Sequence, residues 1–453
     1  MAKIHPLSGF PEWLPQQRIV ELEIQDEIRR RFELYGFAPL ETRSVEPLSV
    51  LVAKGETDKE IYVVDRLAAG TASPERDADR RLGLHYDLTV PFARYVVQHY
   101  NELDFPFKRY QIQRGWRGER PQEGRYREFV QADIDVIDRD RLALSFDAEM
   151  VRLLHETLAA LPIPPVTIAI NNRKITEGYL RGLDVADVIP AMRILDKLDK
   201  IGADGVRRML DAEALTGAQV SAALELVTIA PGGREVIGRV EELGVRHALL
   251  DDGLAELAFV MDELSTLPAG AAVANMAIVR GFDYYTGSVY EGSMRGHEDL
   301  GAVCSGGRYE NLAAGARVRL PGVGVSIGVS RIVGRLFARD LVPTPRKTPT
   351  EVLVLVPEER LRWRAQEVTH ALRERGIPTE MWHEPSKLNK QLRYADNKGI
   401  PYAWLPGRGD DEGDLVRDMV SGDQGAGDPS AWLPATDRAT ARSRARVRAE
   451  ERG

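Results

Sequence analysis

A proline-rich segment at residues 343–349 separates two parts of the chain whose secondary-structure patterns differ. Beyond it, a near-continuous apolar run at 351–356 is followed by helix and strand patterns that alternate. This alternation is typical of an α/β domain with a largely parallel sheet. The sequence therefore predicts an α/β domain at 346–436, followed by an arginine- and alanine-rich tail at 437–453 that we expect to be disordered.

The preceding residues, 1–345, are mainly strand-rich. Two strand patterns flank an arginine- and glycine-rich loop at 114–125, which is typical of a β-hairpin with a functional tip. From about 174 to 268, leucine, alanine, lysine and glutamate dominate, which indicates a helical block inserted into a β-rich core. We therefore predict an α+β fold for this part, with a helical insertion at about 174–268.

Composition limits the class of protein. Of 453 residues, 29% are charged and the net charge is −8, which is typical of a soluble globular protein and excludes a disordered one. The single cysteine, Cys304, excludes an internal disulfide and a cysteine-ligated zinc site, and we expect it to be a small core residue. No N-terminal apolar run has signal-peptide length, and no segment approaches a membrane span. We expect a cytoplasmic protein with no membrane partner and no bound structural metal.

The segment at 279–291 places an arginine, an acid and two adjacent tyrosines between glycines. Glycine lets the backbone approach a ligand closely, and arginine can bind a phosphate or a carboxylate with two parallel hydrogen bonds. Tyrosines supply apolar walls with a polar tip, which suits a small aromatic or imidazole ligand. The alternative is a buried, tyrosine-rich strand in an ordinary core, and the short motif alone leaves both open.

Four arginines stand beside glycines or at predicted strand ends: Arg117, Arg125, Arg280 and Arg331. A single arginine is most often a surface ion-pair partner that contributes little. Several fixed guanidinium groups, however, are what a polyphosphate site needs. No Gly-x-x-x-x-Gly-Lys-Ser/Thr loop occurs, so the sequence gives no support to a P-loop ATPase.

These motifs together resemble those of a known family. The hairpin with its loop resembles motif 2 of class II aminoacyl-tRNA synthetases, and residues 322–331 resemble motif 3. Residues 280–285 and 305–309 resemble the two histidine-specific motifs of the histidyl-tRNA synthetase family. The resemblance extends into the C-terminal domain at 390–396 and so covers nearly the whole chain.

The resemblance implies a six-stranded antiparallel catalytic sheet flanked by helices, with a helical insertion and an appended α/β anticodon-binding domain. It implies ATP-dependent ligation of L-histidine to its tRNA through a histidyl-adenylate. ATP would be a substrate, with Mg²⁺ bound to it, and tRNA(His) and a second copy of the chain would be the partners. The protein would be a homodimer.

The resemblance also assigns residues, and it assigns none to a metal. Two arginines would be catalytic at the α-phosphate: Arg117 and Arg280. Those that would bind histidine are Asp87, Thr89, Arg117, Gln131, Asp135, Arg280, Tyr284 and Tyr285. Those that would bind ATP are Arg117, Glu119, Arg125, Phe129 and Arg331. Apart from the resemblance, Lys387, Lys390 and Arg393 lie three residues apart in the last predicted helix. They form either an ordinary solvated face or a basic face that contacts tRNA phosphates.

Two positions depart from the family pattern. His85, within residues 84–89, stands where many bacterial members have arginine, and the Asp-Leu-Thr that follows resembles the eukaryotic branch. Arg43 stands where class II enzymes usually have a proline at the dimer interface. The main alternative is a catalytically silent, synthetase-like regulatory subunit of ATP phosphoribosyltransferase, but such proteins typically lack the C-terminal domain. A class II synthetase for proline or threonine is a further alternative, against which the motif at 280–285 argues.

Overall fold

The computed structural model describes residues 5–52, 61–65, 81–213, 215–279, 285–310, 319–342, 346–408 and 412–434. Arg280, Tyr284 and the tail at 437–453 lie outside the described residues, as does part of the predicted linker. Residue contacts divide the chain into two compact units, Met1–Pro11 with Ile24–Ala338 and Glu12–Glu23 with Arg339–Gly453.

The larger unit is built on a mixed set of strands and helices. Its strands are β1 (Ala38–Pro39), β2 (Val45–Pro47), β3 (Val63–Val64), β4 (Leu82–Leu84), β5 (Phe107–Trp116), β6 (Glu128–Ile137), β7 (Val166–Asn172), β8 (Ala272–Ala274), β9 (Tyr285–Met294), β10 (Cys304–Tyr309) and β11 (Gly322–Ile327). Its helices are α1 (Pro15–Leu34, whose first residues belong to the other unit), α2 (Leu48–Val52), α3 (Thr89–Gln98), α4 (Ser145–Ala160), α5 (Arg173–Gly182), α6 (Val188–Leu195), α7 (Leu198–Ala212), α8 (Gly217–Val227), α9 (Glu235–Glu242), α10 (Ala248–Glu263) and α11 (Val329–Ala338).

The described strands form a central eight-stranded sheet in the order β1-β5-β6-β11-β10-β9-β7-β8. The six inner strands of this sheet pair antiparallel throughout, in the order β5, β6, β11, β10, β9 and β7. The predicted antiparallel sheet is therefore confirmed. Two short edge strands, β1 and β8, extend it by parallel pairing, which the sequence did not predict.

The hairpin of β5 and β6 fixes which face of this sheet is polar. The two ten-residue strands pair without a break from Phe107↔Ile137 to Trp116↔Glu128. Side chains alternate between the faces of a strand, so the fully buried Ala132, Ile134 and Val136 pack into the core on one face. The intervening residues of both strands carry amide, carboxylate and guanidinium groups, and they share the opposite face.

A small sheet of β2, β4 and β3 lies beside α2, a short helix that the sequence analysis missed. Glu46 of this sheet is fully buried, and its two carboxylate oxygens lie 2.6 Å from Arg43 and 2.6 Å from Arg94. Burying a carboxylate is costly unless cations neutralise it. Arg43, which departs from the family pattern, is thus one of two ion-pair partners of a buried acid.

Between β7 and β8 the chain forms helices α5 to α10, within the region predicted as a helical insertion. Apolar side chains of α6, α7 and α8 make a separate core, in which Leu195, Val206 and Val220 are fully buried. The bounds of the insertion at about 174–268 remain a prediction.

The smaller unit contains the C-terminal α/β domain. Its elements after residue 339 are β12 (Val352–Val354), α12 (Arg362–Glu374), β13 (Thr379–Met381), α13 (Leu388–Lys398), β14 (Tyr402–Leu405), β15 (Asp414–Asp418) and β16 (Gln424–Gly427). The sheet order is β13-β12-β14-β15-β16. The first three strands are parallel, whereas β15 and β16 add an antiparallel edge.

The expectation of a largely parallel sheet is therefore correct for only part of this domain. The sequence analysis missed β15 and β16, which carry few apolar side chains; β16 is mostly exposed, and in β15 only Asp414 and Val416 are buried. The carboxylate of Asp414 anchors this edge, because it accepts hydrogen bonds from the buried Trp404 indole at 3.1 Å and from Arg364 at 3.0 Å. In the part of the chain that the structure describes, no helix is long and apolar enough to cross a membrane.

Candidate active site

The polar face of the central sheet carries ordered rows of side chains across β5, β6 and β11. In one row Arg109, Asp135 and Gly324 are direct neighbours, and in the next Gln111 lies opposite Asp133, which pairs with Ser326. Directly opposed side chains on one face of a sheet are close enough to interact. A cavity lies against this face. Of the residues that the sequence predicted, it is lined by Asp87, Thr89, Arg117, Arg125, Gln131, Asp135, Tyr285 and Arg331.

The start of α3 supplies Asp87 and Thr89 to this cavity. Thr89 is the first residue of the helix, and one carboxylate oxygen of Asp87 accepts a hydrogen bond from the backbone N–H of Val90 at 3.0 Å. This bond satisfies one of the N–H groups that a helix N-terminus leaves unpaired, and it fixes the carboxylate. Asp87 is buried, so the cavity holds a positioned acid at this end.

Asp135 lies deeper in the cavity and has two strong partners. The Tyr309 hydroxyl donates to its Oδ1 at 2.9 Å, and the Arg109 guanidinium lies 2.6 Å from its Oδ2. Burial raises the pKa of Asp135 to about 6, while Arg109 and the Tyr309 hydrogen bond oppose the rise. Gly324 makes room for this arrangement, since a Cβ atom there would lie 1.9 Å from Asp135 Oδ1.

Asp133 is a cavity residue to which the sequence analysis gave no role. Burial raises its pKa to about 7, opposed chiefly by the charge of Arg109. A signal for it did exist, because Gln131, Asp133 and Asp135 alternate with apolar residues and so share one face of β6. Gln131 donates from Nε2 to the Ser326 hydroxyl at 2.9 Å.

Arg117 connects this cavity with an adjoining one. Its Nε donates to the carbonyl oxygen of Tyr86 at 2.9 Å, and its guanidinium lies 4.9 Å from the centre of the Phe129 ring. The adjoining cavity is lined by the remaining residues predicted to bind ATP, Glu119 and Phe129, and shares Arg117, Arg125, Gln131 and Arg331 with the first. Because Arg117 lines both cavities, it can contact ligands in each of them.

Two further arginines converge on the adjoining cavity from different elements. Arg125, on the hairpin loop, lies 3.3 Å from the Glu119 carboxylate. Arg331, in the first turn of α11, donates to the carbonyl oxygen of Ala302 at 2.6 Å and to that of Gly124 at 3.3 Å. Guanidinium groups held in place are suited to polyphosphate oxygens, since little conformational entropy is lost when the ligand binds.

His85 is fully buried beneath the hairpin, outside the set of cavity residues. Its Nε2 donates to the carbonyl oxygen of Arg114 at 2.6 Å, and its ring lies 5.5 Å from that of Trp116. Burial lowers the pKa of His85, so the ring is neutral at physiological pH and supports the hairpin. Cys304 is buried and its pKa is raised to about 12 by burial, which confirms a core residue and excludes a reactive thiolate.

The predicted tRNA-binding residues lie in the other unit and are exposed. Lys387 directly precedes α13, and Lys390 and Arg393 follow within its first half. Lys390 lies 3.2 Å from Glu384 and 5.7 Å from the centre of the Trp382 ring. The structure thus presents a basic face in the C-terminal domain.

Comparison with known proteins gives consistent matches. Residues 9–332 match the family model described as histidyl-tRNA synthetase, and residues 351–424 match that of an anticodon binding domain. A histidine–tRNA ligase from Thermobifida fusca is 52% identical over 94% of this chain and 97% of its own length. The crystal structure of a Nostoc histidyl-tRNA synthetase superposes with a TM-score of 0.85 at 33% identity, covering 98% of this chain and all of that one. A Bacillus halodurans structure described as an ATP phosphoribosyltransferase regulatory subunit/histidyl-tRNA synthetase has a TM-score of 0.68 at 22% identity, covering 87% of this chain and 96% of that one, a likeness of fold alone.

Proposed function

Because this chain belongs to the histidyl-tRNA synthetase family, we propose that the two adjoining cavities on the polar face of the central sheet are where it carries out its reaction. The chain is a histidine–tRNA ligase, an aminoacyl-tRNA synthetase that serves protein biosynthesis and carries an anticodon-binding domain.

Histidine binds in the acidic cavity. Asp87 and Thr89 receive its α-ammonium group at the start of α3, and Asp135 accepts the imidazole N–H. Gln131 and Tyr285 line the same cavity and complete the pocket. Tyr284 is assigned to histidine binding by the motif at 280–285 alone. The chemistry of Asp135 supports this assignment. Its carboxylate, held by Arg109 and Tyr309, stays ionised, so a ligand side chain without a hydrogen-bond donor would leave it unpaired.

ATP binds in the adjoining cavity, as its magnesium complex. Arg125 and Arg331 contact the phosphates, Phe129 stacks on the adenine, and Glu119 holds Arg125 and the nucleotide. Arg117 contacts the α-phosphate and the histidine carboxylate, since it lines both cavities. Arg280 acts as a second arginine at the α-phosphate, an assignment that rests on the motif at 280–285.

The reaction then follows from the positions of the two substrates. A carboxylate oxygen of histidine attacks the α-phosphorus, the bond to the bridging oxygen breaks, and pyrophosphate leaves. A terminal ribose hydroxyl of the tRNA next attacks the carbonyl carbon of the adenylate, and AMP leaves. The protein contributes orientation and the neutralisation of charge that develops on the α-phosphate.

The shared position of Arg117 is the observation that carries this proposal. We expect histidine to be required for exchange of pyrophosphate into ATP, and Arg117→Lys to lower the exchange rate by roughly 10²-fold, by analogy with the loss of one fixed transition-state donor. Arg114→Lys is the matched control, because Arg114 lies three residues earlier, in β5, and its side chain is 58% exposed. Equal activities of the two variants, or exchange supported better by proline or threonine, would contradict the assignment.

We further propose the bounds of the domains, the residues that contact tRNA and the oligomeric state. The catalytic part occupies 1–345 and the anticodon-binding domain 346–436, in which Lys387, Lys390 and Arg393 contact tRNA(His). The working form is a homodimer in the cytoplasm. No observation favours the alternative of a silent regulatory subunit, since this chain matches an anticodon-binding domain and a 52% identical ligase.

A further inference from the structure

The histidine pocket contains three buried carboxylates. Asp87, Asp133 and Asp135 line one cavity, and each is at most 5% exposed. Arg109 is the fully buried guanidinium beside them, and it pairs with Asp135. A buried charge is retained where a partner neutralises it, and the ion pairs among the described residues do not include Asp133.

Asp133 has an oxygen that the described residues do not use. Asp133 is 3% exposed, and its Oδ1 has no hydrogen-bond partner among the residues that the structure describes. Its neighbour Ser326 accepts a hydrogen bond from Gln131, which leaves the serine O–H free to be donated to the carboxylate. A buried carboxylate that lines the cavity and keeps an unpaired oxygen is suited to a cationic ligand group.

We propose that Asp133 is a third acceptor for the α-ammonium group of histidine, next to Asp87 and Thr89. An ammonium group carries three N–H donors and no acceptor, and the resemblance supplied only two partners for it. A neutral imidazole has one donor and one acceptor, and its donor is taken by Asp135. A second carboxylate facing the imidazole lone pair would be repelled, so the ammonium is the group that Asp133 fits.

The order of residues on β6 agrees with this position. Asp133 lies on the strand between Gln131 and Asp135, on one face, and it is opposite Ser326 on β11. It therefore lines the same cavity as Asp87 and Thr89, and it is close enough to Asp87 for the two carboxylates to interact electrostatically. This inference rests on the histidine pocket proposed above.

The test compares two ligands that differ only in the ammonium group, L-histidine and 3-(imidazol-4-yl)propionate. We expect Asp133→Asn to weaken the binding of histidine by roughly tenfold to hundredfold, the range for a hydrogen bond to a charged group. Binding of the propionate should change less than about threefold, and the KM for ATP should stay the same. A structural defect would weaken both ligands together. Asp133→Ala repeats the comparison in case the asparagine variant does not fold.

Asp135→Asn separates this inference from the proposed pocket. It should weaken both ligands, because both carry the imidazole. If it weakens neither, the pocket assignment itself fails. If it weakens both while Asp133→Asn changes neither, or changes the two ligands equally, the pocket stands and the role of Asp133 is wrong.

Discussion

The guanidinium of Arg109 lies 2.6 Å from the carboxylate of Asp135, and neither side chain is more than 3% exposed. The two residues are direct cross-strand neighbours on β5 and β6. The Arg109 guanidinium also stacks on the ring of Phe92 at 4.2 Å, so it is held from both sides. Arg109 is therefore a positioning residue, which acts on the substrate through Asp135.

Replacing Arg109 should lower both the stability of the protein and its affinity for histidine, and a second substitution at Asp135 should restore only the stability. Arg109→Met leaves a buried carboxylate without its partner, which costs about 3–5 kcal/mol of unfolding free energy. Asp135 then takes up a proton and no longer favours the imidazole N–H. The double variant Arg109→Met/Asp135→Asn should recover most of the stability but not the affinity for histidine, as measured by denaturant unfolding and by pyrophosphate exchange. If the double variant is as unstable as the single one, Arg109 acts through packing and not through charge.

The buried acids also predict how stability depends on pH. The pKa of Asp133 is raised to about 7 by burial, above the ordinary value of 3.8, and that of Asp135 is raised to about 6. A raised carboxyl pKa means that the folded state binds more protons than the unfolded chain, so this contribution is present at low pH and is lost as the pH rises through 7. The groups around Asp133 are Arg109, Ser326, Asp135 and Asp87, and the two acids strengthen the shift.

We therefore expect Asp133→Asn to gain stability relative to the unsubstituted chain as the pH is raised from 5 to 8 in the absence of substrate. The measurement is the difference in melting temperature between the two proteins at each pH. Ser305→Ala serves as a control for a cavity residue without a titrating group, and its difference should not vary with pH. A difference for Asp133→Asn that is equally constant would mean that Asp133 does not titrate in this range.

Local sequence patterns predicted those elements of the fold that are determined by residues close together in the chain. Two strand patterns around a charged loop predicted the hairpin, and Arg117 and Arg125 of that loop line both cavities. Arg109 and Asp133 were not found, because their importance depends on the register between β5, β6 and β11. Register is a long-range property, which the periodicity of a single strand does not determine. The edge strands β15 and β16 were missed for a related reason, since they are held by backbone pairing and carry few apolar side chains.

A substitution at Gly324 tests whether histidine binding depends on the close approach of β11 to Asp135. Gly324→Ala places a methyl group where 1.9 Å separates it from Asp135 Oδ1, so the carboxylate must move. We expect a loss of roughly 1–3 kcal/mol in unfolding free energy, as for other overpacked sites, and a larger KM for histidine. Gly238→Ala, inside α9 with nothing within 4 Å, is the matched control and should stabilise the protein by up to about 1 kcal/mol. An unchanged KM in Gly324→Ala would show that the Asp135 position is not critical.

The exposed basic face on α13 gives a prediction that separates tRNA binding from adenylation. Changing Lys387, Lys390 and Arg393 to alanine should weaken tRNA(His) binding and reduce its salt dependence, since each lost phosphate contact lowers the slope of log K against log salt by about 1. Histidine-dependent pyrophosphate exchange should stay unchanged, because it needs no tRNA. Arg360→Ala with Arg362→Ala is the control, as these arginines pair with Glu358 and Glu359 at 2.7 and 2.6 Å. If the control lowers tRNA affinity and salt dependence as much as the triple variant, general positive charge and not this face governs tRNA binding.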